Sequence, residues 1–175
     1  RGAAIAAISN LTGSKENIYE LKNFLSLNNQ NDRQTAVQDI IDSNGITLLP
    51  EVVLAPISPS FRLRAIEVLC KESIEYNSDI PFLELLNCVL LDNPDHINVL
   101  SDFDHRLSID ILIEKLFSTD FNEAYMALRL LKKKNLNKIW PHIFNQFKSF
   151  KKDYGALYFL VILLRDLTDF DGNIR

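Results

Sequence analysis

The sequence predicts an all-α fold, a right-handed α-solenoid of stacked antiparallel helix pairs, and three observations carry that expectation. Three phrases repeat: Arg1-Gly-Ala-Ala-Ile-Ala-Ala-Ile8, Arg33-Gln-Thr-Ala-Val-Gln-Asp-Ile40 and Arg62-Leu-Arg-Ala-Ile-Glu-Val-Leu69 each set an Arg three residues before an Ala and follow it with an aliphatic. The arginines lie 32 and 29 positions apart, a period that marks helical repeats. Glycine and proline are scarce, 5 and 6 in 175 residues, and β-branched residues alternate only over short runs, so nothing asks for strands.

The elements follow in order. Ser14 is placed to cap a helix through Ile18, Leu21, Phe24 and Leu25. Asn28 to Asn31 then breaks it, and Asp32 is placed to cap the next helix. Asn44-Gly45 ends that second helix. The stretch from Ile46 to Leu54 reads as a short helix that tolerates Pro50 only in its first turn, and Pro56 and Pro59 fence the turn into a helix from Ser60 to Lys71. Ile80-Pro81 opens another helix ending near Asp92. Residues 93–104 do not fit the repeat and read as an insertion. Pairing resumes with His105 to Phe117, Phe121 to Lys133, Ile139 to Phe150 and Tyr154 to Leu167, each with a dense apolar face. The tail from Asp169 to Arg175 reads as frayed.

At 47% hydrophobic and 24% charged, residues 1–175 are expected to form a single repeat domain that needs no disulfide or metal for its core. The chain opens mid-motif at Arg1, which predicts part of a longer solenoid. A net charge of −4 argues against nucleic acid as a partner, since phosphate binding needs a contiguous basic surface. The cluster Lys132, Lys133 and Lys134 suits a helix C-terminus. Cys70 and Cys88 stand in apolar helical patterns without metal-ligand spacing, as free thiols do in a reducing compartment. The apolar run from Ala156 to Leu164 is too short to cross a bilayer and no signal peptide is present, so the expected location is the cytoplasm or a plastid stroma. No phosphate loop, GxSxG or HExxH motif occurs.

The repeat phrases Arg1-Gly-Ala-Ala and Arg33-Gln-Thr-Ala-Val-Gln-Asp-Ile-Ile-Asp42, with Leu112-Ile-Glu-Lys-Leu116 leading to Ala127-Leu128, join two longer signatures: Ala55-Pro-Ile-Ser-Pro-Ser-Phe-Arg-Leu-Arg-Ala-Ile66, and Asp102-Phe-Asp-His-Arg-Leu107. Together they resemble the HEAT-like repeats of the phycobilin lyases, in particular the longer phycoerythrin-type lyases. The later repeats depart from the pattern, with Asn122 and Asp153 where Arg is expected. The resemblance implies a HEAT/armadillo-like solenoid that binds a linear tetrapyrrole (a bilin) as substrate and helps attach it by a thioether to a cysteine of a phycobiliprotein subunit. It implies no cofactor or metal, and leaves room for a second lyase chain as partner. Because HEAT arrays also serve as scaffolds, a non-catalytic protein-binding role is the alternative.

Bilin transfer needs cations for propionates, an acid toward the pyrrole nitrogens, and apolar walls. Arg62 and Arg64 are candidate ligand contacts, but residues two apart on a helix diverge, so one faces a groove and the other is structural. An interhelical ladder to Asp39 or Asp42 is the structural reading. Asp104 and His105 are the candidate catalytic pair, with Arg106 beside them for a propionate. The same residues also read as a helix start, with Asp102 or Asp104 as cap and Arg106 paired to Asp110. Trp140 and Tyr154 are candidate walls or core. Tyr125 replaces the small residue of earlier repeats, so it either spreads the helices or lines the concave face.

Overall fold

The computed structural model describes the backbone of residues 1–72, 81–100, 106–149 and 154–166; within these residues every regular element is a helix. The chain forms two compact units, 1–100 and 101–175.

In the first unit, α1 (Gly2–Thr12) ends at Gly13 in the left-handed conformation. A 3₁₀ helix, Ile18–Ser26, follows where Ser14 was expected to start an α-helix. The spacing explains the difference: Ile18, Leu21 and Phe24 recur every third residue, which lines them up in a three-residue turn. Ile18 and Leu21 are buried, while Ser14 only receives the Glu16 amide at 3.4 Å. Next comes α2 (Gln30–Asp42), capped not by Asp32 but by Asn29, whose side chain accepts the Asn31 amide at 2.8 Å. A 3₁₀ turn, Ile46–Leu48, leads into α3 (Leu49–Val53) with Pro50 in its first turn, where the missing N–H costs nothing. α4 (Pro59–Glu72) and α5 (Phe82–Leu91) complete the helices.

Val37, Ile40, Leu49, Val52, Val53, Ile57, Ala65 and Leu69 form the centre of this unit's core. Ala36 and Ala65 are buried, as close helix approach requires. Ala4 is exposed, because α1 turns Ile5, Ala6 and Ser9 inward, one residue later than the repeat phrase implies. The non-repeating segment after α5 makes a 3₁₀ turn, Pro94–His96, and buries Ile97. The Asn98 amide then donates to the Leu54 carbonyl at 2.7 Å, tying the segment to the end of α3.

In the second unit, α6 (Ile109–Leu116) starts four residues later than its apolar pattern suggests, at a cap formed by Ser108, whose hydroxyl accepts the Ile111 amide at 3.4 Å. α7 (Phe121–Lys132) is capped by Asp120, which accepts the Asn122 amide at 2.8 Å. α8 (Leu136–Ser149) and α9 (Tyr154–Asp166) follow. α8 begins ahead of the expected Ile139 and so carries Pro141 in its interior. Glu123 joins α6 to α7, accepting from Lys115 at 2.8 Å and Ser118 at 2.7 Å. The Lys115 hydrogen bond holds its carboxyl below the ordinary range.

Candidate functional site

Two of the three repeated arginines, Arg33 and Arg62, are buried structural donors. Arg33 is fully buried, its guanidinium donating to the carbonyls of Leu27 at 2.8 Å, Asn28 at 2.9 Å and Pro56 at 3.3 Å. Arg62 is also fully buried. It donates to the Val53 carbonyl at 3.2 Å and pairs with Asp92 at 2.6 Å. The partner lies 30 residues ahead, so the ladder runs toward the following repeat and not back to Asp39 or Asp42. Asp92 is itself 1% exposed and takes the left-handed conformation that ends α5, with φ 43°. Of the Arg62 and Arg64 pair, Arg62 is therefore enclosed. Arg64 faces outward, with no hydrogen bond or ion pair to the described residues.

Asp39, freed from the expected ladder, occupies a different setting. It is 8% exposed, on the α2 face that also carries Asp32, Thr35 and Ala36. Its carboxyl lies so close to the α1 backbone that a Cβ on Gly2 would come within 2.1 Å of Oδ2. A side chain at Gly2 would force the Asp39 carboxyl to move. These residues, with Phe24, Leu27 and the side chain of Arg1, line a cavity of about 210 Å³. Arg1 is engaged by Glu20 at 2.9 Å. Burial first, and the neighbouring Asp42 carboxylate second, push the Asp39 carboxyl above its ordinary value, against the weaker opposing pull of the Arg1 ammonium. No hydrogen bond reaches that carboxyl from the described residues. The sequence signal was present, since positions 32, 35, 36 and 39 share one helical face, but it read as ladder geometry.

In the second unit, Tyr125 is fully buried, edge-on to Phe159 with ring centroids 5.3 Å apart. Its ring fills core volume between α7 and α9 and does not line a surface. Asn122, standing where the earlier repeats have Arg, is 8% exposed and donates to the Met126 sulfur at 3.4 Å. Arg106 is exposed. Asp110, expected to pair with Arg106, instead contacts Nδ1 of His142, which fastens α6 to α8. Trp140 is half-buried against Phe144, with centroids 6.3 Å apart. Asp102, Asp104, His105 and the Tyr154 side chain lie outside the described residues.

Cys70 and Cys88 are free thiols, partly buried against the first unit's core, and burial raises the Cys70 pKa. Among the described residues no group of three His, Cys, Asp or Glu side chains is placed to hold a metal ion. No described helix is long and apolar enough to cross a membrane.

No protein-family model matches the chain. Bilin biosynthesis protein CpeY of Synechococcus sp. (strain WH8020) is 32% identical over 176 residues, an alignment that takes in all of this chain and 42% of that protein. Uncharacterized phycocyanin operon protein Y of Pseudanabaena tenuis (strain PCC 7409) is 28% identical over 165 residues, covering 92% of this chain and 39% of the relative. The chain thus spans about two fifths of the length of these curated relatives.

Proposed function

We propose that the chain, which is similar along its whole length to a bilin biosynthesis protein and carries repeat phrases resembling those of the phycobilin lyases, binds a linear tetrapyrrole and helps attach it to a cysteine of a phycobiliprotein subunit. The observation that carries this reading is the match of the whole chain to about two fifths of a bilin biosynthesis protein. Packed helices joined by buried arginines that recur with the repeat support reading the fold as a right-handed HEAT-like solenoid, an architecture suited to a concave binding face.

Thioether formation is an addition. The acceptor cysteine's sulfur bonds to a carbon of an exocyclic double bond of the bilin, the π bond is used up, and the thiol proton ends on a bilin carbon. No oxidant or reductant is consumed. The lyase then has to hold the chromophore, balance its charges and exclude water. Arg64 is an exposed cation within reach of a propionate, Arg106 is a second cation on the surface, and Trp140 presents a partly open ring. Asp104 and His105 remain the proposed catalytic pair, and Tyr154 a proposed wall of the groove.

The test is coexpression of the chain with bilin-making enzymes and a phycobiliprotein subunit, with and without a second lyase chain. The expected result is a red-shifted coloured complex and a bilin thioether on the acceptor, found by mass spectrometry. A colourless chain in every pairing would defeat the reading.

A further inference from the structure

A mostly buried carboxyl with no hydrogen-bond partner is costly to keep, because folding removes much of its hydration and supplies no donor in return. Asp39 is such a group: 8% exposed, unpartnered among the described residues, and facing a cavity of about 210 Å³. The side chains around it do not relieve the cost. Asp32 and Thr35 share its helical face, Asp42 adds a second carboxylate, and the guanidinium of Arg1 is engaged by Glu20. A ligand that completes this site must therefore bring hydrogen-bond donors, and it must tolerate the apolar wall made by Phe24, Leu27 and Ala36.

Resting on the bilin reading above, we propose that Asp39 is a ligand-binding carboxylate that receives the pyrrole N–H edge of a linear tetrapyrrole seated between α1, the 3₁₀ helix and α2. The fit is chemical and steric. Pyrrole nitrogens present N–H donors along one edge of a flat apolar framework, so the edge meets Asp39 while the ring faces meet Phe24 and Leu27. The cavity has room for part of a bilin, leaving the remainder and its propionates outside. Gly2 belongs to the site as well, since it gives the carboxyl space against the α1 backbone. Asp39 is destabilising for the free chain and gains its partner on binding.

The experiment titrates the full chain with biliverdin, following the red absorption band and, separately, the melting temperature without bilin. Three proteins are compared: the parent, Asp39→Asn and Gly2→Ala. The expected result is binding at least about tenfold weaker in Asp39→Asn with loss of the red shift, as follows when a charge-assisted hydrogen bond is removed, together with a higher melting temperature. Gly2→Ala, which keeps the carboxyl but displaces it, should also weaken binding. If the parent binds and Asp39→Asn binds equally well, this assignment is wrong and the bilin reading survives. A lower melting temperature in Asp39→Asn would also overturn the assignment, because the carboxyl would then be structural. No binding by the parent, alone or paired with a second lyase chain, would remove both.

Discussion

Asp92 stands where a helix-ending left-handed residue is usually glycine, and its carboxylate there pairs with Arg62. Its φ of 43° is costly for a residue with a Cβ, yet the guanidinium beside it is fully buried. The two effects oppose each other in Asp92→Gly, which relieves the backbone and orphans the charge. Removing one partner of a buried pair costs about 3–5 kcal/mol, more than the backbone relief returns. Chemical denaturation should therefore find Asp92→Gly strongly destabilised; a neutral result would mean that the backbone term dominates. Asp39 gives the opposite sign. Its raised pKa means the folded chain holds a proton that the unfolded chain has lost, so stability falls as pH rises from the ordinary carboxylate value through the folded one. Asp39→Asn should flatten that fall, with its advantage over the parent largest at neutral pH and absent in acid.

At the scale of elements, caps and staples set the boundaries that periodicity leaves loose. Ser108 fixes the start of α6, and Ser108→Ala should cost about 1 kcal/mol in a thermal melt. The contact of α4 with its neighbours depends on Ala65, fully buried in the core. Ala65→Leu should destabilise by about 1–3 kcal/mol through overpacking, and an unchanged melting curve would contradict the close approach. The Glu123 link between α6 and α7 has its own pH signature. Its lowered pKa adds stability that is present above the ordinary carboxylate value and is lost as pH falls through the folded one. Solvent screens this half-exposed pair with Lys115, so the effect is small.

For the molecule as a whole, the proposed chemistry puts the covalent bond on the acceptor and leaves this chain unmodified. Cys70→Ala with Cys88→Ala should therefore retain bilin transfer while losing some stability from the space left in the core. A bilin found on either cysteine as an obligatory intermediate would refute that mechanism. Replacing the acceptor cysteine should abolish the thioether and spare noncovalent bilin binding.

The scarcity of glycine and proline and the apolar periodicity were enough to predict helices and their approximate order, and the repeat phrases carried the likeness to phycobilin lyases, because those properties are local or carried by short words of sequence. Helix starts shifted where a cap won over the pattern, as Asn29 and Ser108 did over Asp32 and His105. Which arginine turns inward, and which acid it meets, was not legible. Arg62 could have paired backward or forward, and only the packing of α4 against α5 selects Asp92. Tyr125 likewise became core only once Phe159 arrived from α9. Asp39 carries the same lesson for the candidate site. Its helical face is written in the sequence, but its burial without a partner depends on Gly2 bringing α1 against α2, a contact between distant residues that one-dimensional spacing does not encode.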